Sequence, residues 1–206
     1  MISKDVRTAA GPARVALDAA VAAPAFLMVL THGAGGTPQT PDVLAARDAG
    51  LALGGTVALV TQPYRVKGSR APGSADRQDA AWAEVVAALR HEAGDAPVIQ
   101  GGRSNGARVA CRTARAVGAR GVIALAFPLH PPGHPERSRV CELRNAGTDV
   151  LVINGGRDPF GVPRKEDASS VIVLPGEAHA LSKNPGAVAE AVGGWLREIL
   201  VASVAG

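Results

Sequence analysis

The chain has 206 residues, 47% hydrophobic and 19% charged, a profile that predicts one folded domain over 1–206 and excludes a disordered polar chain. A formal charge of +4 would suit an anionic partner, but Lys and Arg are scattered and aromatics are only 3%, so no nucleic-acid surface with stacking side chains is expected. Two cysteines, Cys111 and Cys141, lack metal-like spacing, which excludes a disulfide scaffold or zinc module and fits a reducing, cytoplasmic compartment.

From the N-terminus, β-rich apolar runs occur at 15–18, 25–31, 56–62, 97–101, 121–127, 149–154 and 170–174, with helical patterns between them and no linker or repeat. The longest apolar stretch, 19–30, is interrupted by Pro24 and falls short of the ~20 residues of a membrane span. It could pass for a signal segment after Lys4 and Arg7, but it leads straight into chemically loaded residues and reads as a core strand. Ser74 is placed to cap a helix whose apolar side repeats at Trp82, Val85, Val86 and Leu89, with Asp76 in the first turn. After Ser104, the residues Ala107, Ala110, Cys111, Ala114 and Val117 share one face and Arg108, Arg112 and Arg115 the other, which predicts a small-faced helix packed closely on a sheet. Asn184-Pro185 opens the last helix, with Val188, Val192, Trp195 and Ile199 as its buried stripe. Alternating βα units predict a doubly wound, mostly parallel sheet of about seven strands with helices on both faces. Its ligand site should lie beyond the carboxyl ends of the strands.

Gly102-Arg103-Ser104-Asn105-Gly106 follows one of these strands and opens a helix, the context in which a G-x-S-x-G turn lifts a serine hydroxyl above a sheet. Alone, in a chain with 25 glycines, the pattern reads equally as a tight or phosphate-binding βα turn. A serine needs an imidazole to take its proton, and the imidazole needs a carboxylate. Asp158, in Gly155-Gly156-Arg157-Asp158-Pro159, and His179, in Gly176-Glu177-Ala178-His179, each follow a successive downstream strand. Ser104, Asp158 and His179 thus stand in the chain order of an α/β-hydrolase triad. Glu166 and Asp167 lie in a charged helix-like stretch and Glu177 is too near His179, so Asp158 is the preferred acid. The loop Thr31-His32-Gly33-Ala34-Gly35-Gly36 lacks G-x-G-x-x-G spacing, and its glycines allow close backbone approach. The N–H groups of Ala34 and Asn105 are the expected oxyanion donors, with His32 bracing the loop.

THGAGG, GGRSNGARVA, FPLHPPG at 127–133, GGRDPFG and GEAHAL together resemble the α/β-hydrolase family that includes testis-expressed protein 30 and the hydrolase-like domain of NSL complex subunit 3, within the wider dienelactone-hydrolase-like group. The resemblance runs from about residue 25 to the C-terminus. It implies the α/β-hydrolase fold with little or no lid, Ser104 as nucleophile, Asp158 as acid and His179 as base. Two positions depart from the family's pattern: Ala178 replaces a frequent acidic residue, and Asn105-Gly106 a frequent Met-Gly pair. The resemblance also keeps a scaffold reading open, since some relatives look like non-enzymatic domains. Acyl transfer or peptide cleavage on the same fold are further alternatives.

The expected reaction is hydrolysis of a small carboxylic ester or related acyl compound, with no cofactor and no metal. The expected partner is that small-molecule acyl substrate, with neither nucleic acid nor membrane, and the chain is read as monomer or homodimer. Gly33, Tyr64, Arg65 and His130 are placed to line the substrate, and a positive rim would suit an acidic one. Arg65, Arg70 and Arg103 are each weighed more heavily as anchors of loops through backbone carbonyls.

Overall fold

The computed structural model describes residues 2–20 and 22–201. Val21, within the apolar stretch 19–30, lies outside the described residues. Eight strands form one sheet in the order β1-β2-β4-β3-β5-β6-β7-β8: β1 (Ile2–Thr8), β2 (Gly11–Asp18), β3 (Leu27–Thr31), β4 (Thr56–Thr61), β5 (Val98–Arg103), β6 (Gly121–Leu125), β7 (Asp149–Gly155) and β8 (Ser170–Leu174). Every pairing from β4 onward is parallel, while β1–β2 and β2–β4 are antiparallel.

The sheet has eight strands where about seven were expected, and the strict βα alternation is broken only at the N-terminus. β1 and β2 form a hairpin closed by a tight turn at Gly11, whose φ of 109° suits glycine. β1 carries no hydrophobic signal because, as an edge strand, it buries only Val6. Its pairing and two tertiary bonds hold it: Ala9 N–H to Glu84 Oε2 and Lys67 Nζ to Ala10 O.

Side chains of the central strands point alternately to two helical layers. Met28, Leu30, Val57, Leu59, Ile99, Ile123, Leu151 and Ile153 face helices α1 (Pro41–Ala52) and α6 (Pro185–Val201). On the other face, after α2 (Pro63–Val66), helix α3 (Ala75–Ala93) covers Leu27, Val29, Ala58 and Val60. Helices α4 (Asn105–Thr113) and α5 (Val140–Arg144) cover Val122, Ala124, Val150 and Val152. The small face of α4 is buried as expected, and Cys111 on it has its thiol pKa pushed up by burial. Asn184 caps α6 through Oδ1 to Ala187 N–H at 3.1 Å, whereas Ser74 sits at the N-cap of α3 without a side-chain bond. No described helix is long and apolar enough to cross a membrane.

The chain runs from β3 to β4 on one side and then returns to β5 on the other. Their exits diverge, opening a crevice between the carboxyl ends of β3 and β5, where such sheets hold their ligands. Gln100, fully buried on β5, ties both flanking helices to this strand: Trp82 Nε1–H donates to its Oε1 at 2.7 Å, and its Nε2 donates to Ala110 O at 2.7 Å. Trp82→Phe keeps most of the packing but orphans the buried Gln100 oxygen. It should destabilise the fold by about 1–3 kcal/mol, read as a lower urea midpoint with an unchanged m-value.

Candidate active site

Ser104 stands between β5 and α4 with φ 53° and ψ −113°, a backbone conformation that L-residues rarely adopt and that costs of the order of 1–3 kcal/mol. The strain persists because the surrounding chain leaves no alternative path. A Cβ on Gly102 would come within 2.6 Å of Thr31 O, and one on Gly106 within 2.7 Å of His32 O. The two motif glycines thus let the turn press against the end of β3, and Ser104 N–H is held by Leu125 O at 2.9 Å.

His179 and Asp158 meet the serine from the next strand ends. His179 Nε2 lies 2.9 Å from Ser104 Oγ, and its Nδ1 lies 2.8 Å from Asp158 Oδ2. The Asp158 side chain is fully buried and that of His179 is 19% exposed. A carboxylate can only accept, so Nδ1 carries the proton and Nε2 is left bare to receive one from the hydroxyl. The two loops are joined at Gly155, where a Cβ would collide with the carbonyls of Glu177 and Ala178, and by Arg157 N–H to Glu177 O at 2.9 Å. Glu177 and Asp167 serve the scaffold instead: Glu177 Oε1 accepts Asn184 N–H, and Asp167 accepts Arg144 and the Arg164 N–H.

Gly33 packs directly on the serine, since a Cβ there would lie 3.3 Å from Ser104 Cβ. Among the described residues, the N–H groups of Ala34 and Asn105 have no internal partner, as donors awaiting a ligand must. His32 is fully buried and braces the loop: Nδ1–H donates to Gly33 O at 2.8 Å, and Nε2 accepts Gln62 N–H at 3.0 Å. Of the residues expected to line the substrate, Tyr64 packs its ring on His32 at 5.8 Å, with its hydroxyl buried and unpartnered. Burial pushes the Tyr64 pKa to about 12, against the pull of Arg65. Arg65 donates to Gly36 O and Ser69 O, and Arg70 lies exposed beside Gly35. His130 bonds Pro131 O through Nδ1, packs against Gly161, and donates its backbone N–H to Phe160 O at 2.9 Å.

Two further residues of the site were not singled out in the sequence. Phe160 donates its N–H to Asp158 Oδ1 at 2.9 Å and lays its ring on that of His179, centroids 4.2 Å apart. Asn154, buried at the end of β7, accepts Phe127 N–H and donates to Phe127 O and Gly161 O, so it pins FPLHPPG to the Asp158 loop. The Asp-Pro-Phe order was visible in the sequence, but nothing local to it reveals the stacking. Among the described residues, no three His, Cys, Asp or Glu side chains converge as a metal site would need.

The profile of the Alpha/beta hydrolase domain family matches residues 24–178, more than half of the chain, and the chain belongs to that family. Its fold is similar to that of a serine hydrolase without lid from Xanthomonas campestris, at 22% identity and TM-score 0.72 over 94% of each chain. It is likewise similar to Est1E from Butyrivibrio proteoclasticus, solved with ferulic acid bound, at 16% identity and TM-score 0.78 over 96% of this chain and 99% of that one. Dienelactone hydrolase from Anabaena variabilis matches at 17% identity and TM-score 0.72 over 96% of each chain. At these identities the likeness is one of fold, and no curated protein matches the chain. The expected α/β-hydrolase architecture, without a lid, is the one found.

The geometry of His32 has a consequence for acid stability. Burial, with a smaller contribution from Arg65 and against the bond to Gly33, lowers its pKa below the ordinary 6.5. The native state holds it neutral, so its contribution to stability is full above the unfolded pKa and is lost as the pH falls through the lower native value. Urea midpoints between about pH 5 and 8 should show the wild type's advantage over His32→Gln constant near neutrality and shrinking on acidification.

Proposed function

We propose that the protein is a serine hydrolase that cleaves a small carboxylic ester or related acyl compound. The observation that carries this reading is the unbroken chain of short contacts from Asp158 through His179 to Ser104, at 2.8 and 2.9 Å. Ser104 Oγ attacks the acyl carbon while its proton passes to His179 Nε2, and Asp158 stabilises the imidazolium that results. The carbonyl oxygen, now negative, accepts from the Ala34 and Asn105 N–H groups. His179 returns the proton to the leaving alkoxide as the ester bond breaks. Water, deprotonated by the same imidazole, then attacks the acyl-enzyme and releases the acid and Ser104.

A cavity of about 190 Å³ lined by Gln62, Tyr64, Ala71, Pro72, Gln78 and Ala81 supports a short acyl or leaving group. It adjoins the site through Gln78, whose Oε1 accepts from Asn105 Nδ2 at 2.7 Å. Within the family, we assign the chain to the neighbourhood of testis-expressed protein 30, on THGAGG, GGRSNGARVA and FPLHPPG.

A fluorophosphonate probe should label the native protein and not Ser104→Ala, and p-nitrophenyl acetate should be turned over. Ser104→Ala or His179→Ala should each lower kcat by about 10⁴-fold or more, with little further loss in the double variant, because the three residues act as a unit. Well-folded protein that fails to label would establish the scaffold reading in its place, and turnover of amides alone would replace the esterase by a peptidase.

A further inference from the structure

We propose that Arg103, the residue immediately before Ser104, is a positioning residue that holds His179 over the serine, and that the buried carboxylate of Asp42 aims its guanidinium. Arg103 Nη2 donates to the backbone carbonyl of His179 at 2.7 Å. Its Nε lies 3.1 Å from Asp42 Oδ2, out of line for a hydrogen bond, so the pair is an ionic contact. Its Nη1 lies 3.4 Å from where a Cβ on Gly33 would be, which packs the guanidinium against the loop bearing Ala34. One side chain therefore touches the segments that carry the base and the oxyanion donors, and is covalently joined to the serine itself.

These contacts close a ring. It passes from Ser104 Oγ to His179 Nε2, through His179 to its carbonyl, across to Arg103 Nη2, and back along the chain to Ser104. Asp158 and Phe160 set the rotation of the imidazole, but neither holds the His179 backbone; Arg103 does. That backbone needs holding, because Leu181, two residues on, has φ 45°, strained for a side chain of its size. A bond from a charged guanidinium is stronger than one between neutral groups and resists the relaxation of this turn.

Asp42 is the counter-charge. It lies in the first turn of α1 with its side chain fully buried; burial raises its pKa against the opposing pull of Thr40, Arg103 and the backbone N–H groups of the turn, and Arg103 is the one cation in ion-pair range among the described residues. A buried carboxylate so placed contributes little to stability by itself. What it does supply is a fixed direction for the Arg103 fork, leaving Nη2 pointed at His179 O. Arg65 also anchors a loop through carbonyls, but its targets, Gly36 O and Ser69 O, lie outside the reacting residues.

This inference rests on the hydrolase reading, and the experiment separates the two. Wild type, Arg103→Met, Arg103→Lys and Asp42→Asn are compared by circular dichroism, urea midpoint, p-nitrophenyl acetate kinetics and rate of fluorophosphonate labelling. Folded Arg103→Met should lose about 10²-fold in kcat with KM changed less than about threefold, and its labelling rate should fall in parallel, as expected when a reacting group is displaced by about 1 Å. Arg103→Lys, able to reach one acceptor without the fork, should recover about tenfold of that loss. If Arg103→Met does not fold, Asp42→Asn is read the same way, with an expected loss of about tenfold. Wild-type kcat in a folded variant, or a change confined to KM, overturns the role. Should the wild type neither label nor turn over, the hydrolase reading alone falls, and crystal structures of wild type and Arg103→Lys decide the positioning role. A longer Ser104–His179 distance in the variant supports it, and an unchanged 2.9 Å overturns it.

Discussion

The site depends on one steric constraint, the close approach of the β5–α4 turn to the end of β3. Thr31 O and His32 O occupy the space that side chains at positions 102 and 106 would need. With those side chains absent, the turn closes, Ser104 is forced into its left-handed conformation, and its Oγ stands clear of the sheet. The same approach brings Gly33 onto Ser104 Cβ, so the loop after β3 and the serine are placed by a single packing event. The parallel registers of β3, β5 and β6 set the approach, through pairs such as Thr31 with Gly102 and Gly102 with Ala124.

Around that turn, polar side chains replace bulk as the means of fixing loops. His32 ties the end of β3 to β4, Asn154 ties the segment after β6 to the Asp158 loop, and Arg103 ties the β5–α4 turn to the His179 loop. Each spans two or more strand exits. A lidless site has no covering element to compress its loops, so backbone carbonyls and N–H groups at the carboxyl edge must be satisfied from within the sheet's own connections.

Several arginines are matched by carboxylates on neighbouring elements. Arg108 pairs with Glu142, Arg112 with Asp79 and Arg144 with Asp167, in forked contacts as short as 2.6 Å that join neighbouring elements. Partial burial makes these pairs geometric braces more than sources of net stability. Arg65 directs its donors to carbonyls and so anchors loops while keeping its charge.

Much of this was legible in the linear chain. Apolar runs identified seven of the eight strands, the periodicity of Trp82, Val85, Val86 and Leu89 identified a helix face, and the order of Ser104, Asp158 and His179 followed from strand ends. These are local signals, because hydrophobic period and turn residues act over a few positions. The edge strand Ile2–Thr8 was invisible for the same reason: it buries one side chain and is held by its neighbour. The stacking of Phe160, the bridging by Asn154 and the pairing of Arg103 with Asp42 were equally hidden. They join residues that lie far apart in the chain, as Arg103 and Asp42 do, so only the packing of the sheet decides them. The sequence by itself determined which chemical groups were present and on which strand ends they fell. The tertiary structure alone decided how they are held within hydrogen-bond reach, because that depends on close approaches between elements that no local pattern records.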